Sequence, residues 1–216
     1  TLIEAWCQRD KLNVAMTIAK TATEVGFRAS KRMYTRLIQG FVKRFEIDVA
    51  VQLLESMMSD ANIVPDTETF DRVLKFVSNR DPNKAMSLVL ALRRLKKRQP
   101  DISTFLIMIR MFCDVVKNAK MSADILKIVM YQSPPPSIVP KIVFWKVLDL
   151  CIKERYLHRA TDILRIMRDV HIKPRAFAVT KLIRVWCERG ESRYAKRVLR
   201  YSLETQSVPY ENAFTT

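Results

Sequence analysis

Glycine is scarce in this chain, with three among 216 residues, where an average protein carries about 7 %. The shortage excludes glycine-rich phosphate loops and argues against β-rich folds, whose tight turns use glycine. Histidine is scarcer: only His158 and His171 occur, without metal-ligand spacing. No metal or other cofactor is expected. The cysteines Cys7, Cys113, Cys151 and Cys187 are widely spread and form no CxxC pair. A chain this long and apolar needs no disulfide staples, so a reducing compartment is the simplest reading. No run reaches about 18 apolar residues without a charge, so no membrane span is expected. Paired carboxylates for a nuclease metal site are not evident, and neither an enzyme nor a small-molecule substrate is expected. The chain starts in mid-pattern without a signal peptide, and an upstream targeting segment is expected.

Acidic residues are also in the minority, 22 against 38 Lys and Arg, giving a net charge of +16 and a pI near 10.0. Such a protein attracts polyanions. Nucleic acid is the first candidate and an anionic membrane surface the second. Hydrophobic residues make up 49 %, enough for a core, so disorder is excluded as the main state.

What is abundant is repetition. A small alanine recurs at Ala15, Ala50, Ala85, Ala123, Ala160 and Ala195, at spacings of 35, 35, 38, 37 and 35. A closing proline recurs at Pro65, Pro100, Pro140, Pro174 and Pro209, and Ala29 takes that place in the first unit. An apolar residue marks the front of each unit: Leu2, Leu37, Val73, Met108, Leu148 and Leu182. Three series with one period predict an array of units.

Each unit reads as two helices. Tyr34, Leu37, Ile38, Phe41 and Val42 form one helical stripe, and Ile47, Ala50, Val51, Leu54 and Met57 the next. Arg44, Phe45 and Glu46 make the turn between them. Pro65 stops the second helix, and Asp66 or Thr67 is expected to cap the one that follows. The pattern recurs at 176–210, with Gly190 in the turn. One helix pair cannot bury both apolar faces, so the units are expected to stack as an all-α solenoid. An ordinary helical bundle with accidental periodicity is the alternative. The unit 102–141 is irregular, and its Ser133–Pro134–Pro135–Pro136–Ser137 run predicts a stiff extended loop. The period resumes in register after it.

Residues 1–30, TLIEAWCQRDKLNVAMTIAKTATEVGFRAS, align without a gap to the pattern YNTLIxGxCKxGKLExALxLFxxMxxxGIxPD. The segments ATDILRIMRDVHIKP and MMSDANIVPD fit its end. The chain therefore resembles the pentatricopeptide repeat family. The resemblance implies a right-handed α-solenoid of six helix-turn-helix units, 1–30, 31–66, 67–101, 102–141, 142–175 and 176–210, with 211–216 as a tail. The tetratricopeptide repeat is the near relative, but its Trp-Leu-Gly-Tyr first helix is absent.

The resemblance also implies single-stranded RNA as ligand, bound along the first-helix face in an organelle. Base choice in the family rests on two residues per unit. One follows the aromatic near the start of the first helix, and the other follows the closing proline. In the second unit these are Thr35 and Asp66, a readable pair that implies guanine. The third has Asp71 and Asp101, which is not a readable pair. The fourth has Leu106 and Lys141. The fifth has Lys146, or Trp145 after a one-residue deletion, with Arg175. The sixth has Thr180 and Tyr210, and the first supplies only Ser30. One complete pair in five fits, so backbone and shape recognition, or a scaffold role, is expected over reading of a long track.

The cations of the first helices suit that expectation. Arg36, Gln39 and Lys43 lie at i, i+3 and i+7. Arg72 and Lys75 repeat the first two places, as do Lys181 and Arg184. Arg110 stands alone, and Lys146 and Lys153 are again seven apart. Together they predict a positive stripe, confined to first helices, that contacts phosphate; a solvated polar face is the alternative. Arg93, Arg94, Lys96, Lys97 and Arg98 cluster at the end of a second helix. They suit either the helix dipole or RNA on the outer surface. Cys7 and Cys187 follow Trp6 and Trp186, and Cys113 and Cys151 lie near the same place, so all four are expected to be packed cores. Phe41, Phe76, Phe112 and Trp186 fit core stripes, and both histidines are expected on turns or helix surfaces.

These features predict a non-catalytic RNA-binding protein acting in organellar RNA processing, stability or translation. The alternative is a structural subunit of an organellar ribosome or similar assembly. The expected partners are single-stranded RNA or rRNA and other proteins of a ribonucleoprotein complex. The expected place is the mitochondrion, with the chloroplast as alternative.

Overall fold

A computed structural model of the chain describes residues 5–6, 9, 11–27, 30–59, 63–96, 100–131 and 139–205. Among the described residues the architecture is all-α, with eleven α-helices and one π-helical turn. The chain divides into two compact units, Thr1–Ile107 and Met108–Thr216.

The first unit holds α1 (Leu12–Glu24), α2 (Lys31–Lys43), α3 (Ile47–Ser59), α4 (Thr67–Arg80) and α5 (Pro82–Lys96). Helices pair along the chain, α2 with α3 and α4 with α5. First helices α2 and α4 also pack on each other, as do second helices α3 and α5, which makes two layers. Their stripes supply the core: Leu37, Ile38 and Phe41 from α2, Ala50, Leu54 and Met57 from α3, and Phe70 and Leu74 from α4 are all buried. The helix stripes and turns expected for 34–57 are found. Gly40 is needed where α2 meets α1, because a Cβ there would run into the Leu12 side chain. Helix α2 starts as a capped helix should, with the Ser30 hydroxyl accepting from Met33 N at 3.2 Å. Asp66 stands at the N-cap of α4, but its side chain makes no capping bond, a correction taken up below.

Helix α6 (Ile102–Arg110) runs into a π-helical turn at Met111–Val115. The second unit continues with α7 (Ala119–Met130), α8 (Lys141–Lys153), α9 (Leu157–Asp169), α10 (Ala176–Glu188) and α11 (Ser192–Glu204). Here α8 pairs with α9 and α10 with α11, while α7, α9 and α11 form the second-helix layer. Its largest fully buried side chains include Trp186, Phe144 and Leu126. The Pro-rich loop expected after α7 lies outside the described residues.

One turn geometry joins the helices of a pair in both units. The third residue past the helix donates its N–H back to the carbonyl of the last turn: Glu46 to Phe41 at 3.0 Å, Tyr156 to Cys151 at 2.9 Å and Glu191 to Trp186 at 3.1 Å. This closure needs a left-handed residue just before it. Gly190 supplies one at φ 73, while Phe45 and Arg155 adopt φ 61 and 57. Glycine scarcity thus carries a conformational cost, since a side chain in this region costs about 1–2 kcal/mol.

Candidate nucleic-acid interface

In each first helix the fifth residue takes one structural place: Thr35, Asp71, Leu106, Trp145 and Thr180. Counting from the start of α8 therefore puts Trp145, not Lys146, in register with the others. The residue after each closing proline precedes the next helix, so the two places meet at the same end of the repeat.

In the first unit the acidic residues at these places, Asp66, Asp71 and Asp101, are all engaged. Asp66 forms an ion pair with Lys31, the first residue of α2, one turn before Thr35. This explains why Asp66 caps nothing: its carboxylate is turned back one repeat. Thr67, the first residue of α4, likewise donates its hydroxyl to Asp101, so Thr67 does not cap either. Asp71 accepts from Thr104 Oγ1 at 2.6 Å. Thr35 differs, because its Oγ1 is buried and has no hydrogen-bond partner. Such an unsatisfied hydroxyl is uncommon in a packed protein and calls for an explanation.

In the second unit the corresponding places carry cations and an aromatic ring. The Arg175 guanidinium lies over Trp145 at 4.6 Å from the ring centre and 3.7 Å from the Asp149 carboxylate. Trp145 Nε1 donates to the Lys173 carbonyl at 3.1 Å, which fixes the indole. Partial burial raises the Asp149 pKa, and Arg175 and Lys181 partly offset this. Thr180 is buried and donates to the Ala176 carbonyl at 2.9 Å. Tyr210 lies outside the described residues.

The first-helix cations are on the surface. Arg36, Lys43, Arg72, Lys75, Arg110, Lys146, Lys153 and Lys181 are exposed, and Arg184 is half-buried. Arg72 meets Glu68 at 2.6 Å and Lys146 meets Asp114 at 2.7 Å. Arg93 and Arg94 are exposed near the end of α5. Lys96 ends that helix, and Lys97 and Arg98 lie outside the described residues.

Two expectations need correction. The positive residues are not confined to first helices, for α9 carries Arg159, Arg165 and Arg168, and α11 carries Arg193, Lys196, Arg197 and Arg200. The i, i+3, i+4 spacing of Arg193, Lys196 and Arg197 was legible in the sequence, whereas Arg159, Arg165 and Arg168 follow no such pattern. Cys187 is exposed, whereas Cys113 and Cys151 are buried. The helices align with an offset of 35, so Cys151 falls in the place of Trp186 and Ile152 in that of Cys187. Burial pushes the Cys113 thiol up to about 11 and the Cys151 thiol up to about 12. Cys7 lies outside the described residues. His158 is exposed on α9 and His171 on a turn, as expected. Among the described residues no cluster of His, Cys, Asp or Glu could hold a metal ion, and no helix is long and apolar enough to cross a membrane.

No curated protein sequence matches the chain. Its fold is similar to the crystal structure of the pentatricopeptide repeat protein PPR10 from maize, with 15 % identity and a TM-score of 0.49, over 99 % of this chain and 34 % of that one. It is also similar to PPR10 in complex with an 18-nt psaJ RNA element, again at 15 % identity, with a TM-score of 0.43, over 99 % of this chain and 36 % of that one. The chain thus spans about a third of the length of these structures. Its own repeats carry a more direct relation: residues 3–127 match the family described as pentatricopeptide repeat-containing protein. With more than half its length in that match, and with helix pairs of the expected period continuing after it, the chain belongs to the pentatricopeptide repeat family.

Proposed function

We propose that the protein is a non-catalytic RNA-binding protein of an organelle, the mitochondrion before the chloroplast, which holds single-stranded RNA chiefly by its phosphates. The observation that carries this reading is the set of exposed first-helix cations. Lys43 and Lys75 in the first unit and Lys153 in the second have no ion pair with any described residue. Phosphate contacts set affinity and position without reading sequence. Membership of the repeat family supports RNA as the polyanion, and RNA processing, stability or translation as the process. Base reading is a minor term, strongest at Thr35 and Asp66.

A role as a subunit of an organellar ribosome, or of another ribonucleoprotein with protein neighbours, is the second reading. The internal bonds of Asp71 and Asp101 favour it, since a carboxylate already holding a hydroxyl is a poor base reader. Affinity for unrelated single strands, measured against salt, tests the first reading. Each phosphate contact adds about −0.7 to the log–log slope, and a slope near zero would overturn it. Co-sedimentation with ribosomal subunits from the organelle would favour the second.

A further inference from the structure

The second helices of the second unit differ in how their cations are balanced. On α9, Arg159 pairs with Asp124, Arg165 with Asp162 at 3.7 Å, and Arg168 with Asp169 at 2.7 Å and Glu204 at 3.5 Å. On α11, Arg193, Lys196, Arg197 and Arg200 lie at i, i+3, i+4 and i+7, which puts them on one face. All four are exposed, and none has an ion pair with a described residue. The opposite face is the packed one, with Ala195, Val198 and Ser202 buried. The carboxylate of Glu204, at the end of α11, is engaged by Arg168.

This face is also seated on a rigid base. The Arg197 guanidinium lies 5.7 Å from the centre of the Tyr194 ring. Tyr194 stacks on the fully buried Trp186, centroids 4.5 Å apart and planes 15° apart. Trp186 Nε1 donates to Thr161 Oγ1 at 3.2 Å, and His158 meets both rings edge-on. An arginine held this way loses less freedom when it grips an anion.

We infer that the exposed face of α11 docks the phosphate backbone of double-helical RNA. It is a surface separate from the first-helix face, and it does not depend on that reading. The four charges span about 10 Å at a rise of ~1.5 Å per residue, a row rather than a pocket. Three are arginines, whose forked donors match phosphate oxygens. The row itself carries no ring, Tyr194 is covered by Trp186 and Arg197, and Tyr201, off the row, has one face against Arg168 at 4.6 Å. Single strands are held by stacking as well as charge. A duplex, whose bases are already stacked, needs only shape and phosphate contacts. An anionic bilayer fits less well, since an in-plane helix buries a broad apolar face in the lipid, and Leu203 is the one large apolar residue of α11 that is exposed.

The test compares the unmodified protein with R193Q/K196Q/R197Q/R200Q, binding three probes across a salt series. The probes are an RNA hairpin with a stem longer than the roughly 16 bp that a duplex-binding domain spans, an unstructured single strand, and vesicles containing phosphatidylserine. The expected result is a loss of stem affinity of about tenfold or more, with the slope flattened by about 0.9 per lost contact. Single-strand affinity should fall by no more than about threefold. R193Q/K196Q, which touches neither aromatic ring, should show roughly half the slope change and guards against misfolding of the fourfold variant. Unchanged stem affinity overturns the inference, as does equal loss on both RNAs. Loss confined to vesicle binding overturns it in favour of a membrane. Failure of the unmodified protein to bind single strands, with stem binding intact, would count against the first-helix reading alone.

Discussion

The two compact units use the residue after the closing proline in opposite ways. In residues 1–107 it is Asp66 or Asp101, and each carboxylate is held by the helix-start residue one repeat earlier, Lys31 or Thr67. Among the described residues of 108–216 it is Lys141 or Arg175, and the Arg175 guanidinium covers Trp145. Overall charge follows the same division: 18 Lys and Arg against 12 Asp and Glu in the first unit, 20 against 10 in the second. The proline turn therefore determines where the side chain stands, and its charge determines what it attracts. In both units the side chain closes on the repeat before it, as an acceptor at Asp66 and Asp101 in the first and as a donor from Arg175 to Asp149 in the second.

The largest test asks whether the units are energetically separate. Trp186→Ala should cost about 3–5 kcal/mol and release hydrogen-exchange protection in residues 108–205, leaving 11–96 protected. Phe70→Ala should do the reverse. Loss of protection throughout in either variant would mean one cooperative unit and break the comparison. A second test concerns charge. Removing Lys153 and Lys181 together should flatten the salt slope for single-strand binding by up to about 1.4, taking about 0.7 for each contact. Removing Lys43 and Lys75 should weaken binding less, because the first unit holds more acid. Equal effects would say that overall charge, and not its division, governs RNA affinity.

Smaller effects probe the inward-turned carboxylates. Thr67→Val takes the donor from Asp101 and should lower the stability of the first unit by about 1 kcal/mol, read from denaturant melts. An unchanged melt would show that this exposed bond contributes nothing. The turns give a smaller contrast still. Arg155→Gly should stabilise the second unit by about 0.5–1 kcal/mol by relieving φ 57. Phe45→Gly in the first unit should gain nothing, because Phe45 also packs edge-on against Phe76 at 5.8 Å.

The last effect vanishes at neutral pH. The folded pKa values of Cys113 and Cys151 are raised from an ordinary 9.0 to about 11 and about 12. Unfolding therefore releases their protons above pH 9, so the second unit should lose stability as pH rises through the window from 9 toward 12. Alkylation in the folded protein should modify the exposed Cys187 and spare these two. Modification of Cys151 at the rate of Cys187 would contradict its burial.

Much of the fold was legible because it rests on local, repeated signals. The apolar stripes of 34–57, the turn at 44–46 and the glycine turn at 190 all follow from side-chain period and backbone preference within a few residues. The π-helical turn at Met111–Val115 was not legible, since a 3.6-residue period carries no mark of one widened turn. Cys187 was misjudged for a related reason. Following a tryptophan in sequence is not the same as facing the core, and only the offset between α8 and α10 shows that Cys151 stands where Trp186 does. For the candidate interface, residue types and approximate places were readable, but their partners were not.

Period, helix content and the sign of the charge are local or additive properties, so the amino-acid order alone determined them. The partners of Asp66, Asp71 and Asp101 sit 33 to 35 residues away, a separation that only the stacking of one repeat on the next brings to hydrogen-bond distance. Stacking likewise gives Arg159 an acid across the layer and leaves Arg193, Lys196 and Arg200 with none among the described residues. Whether a surface cation is spent on a neighbour or left for a ligand depends on which helix packs beside it, and that is a property of the tertiary structure.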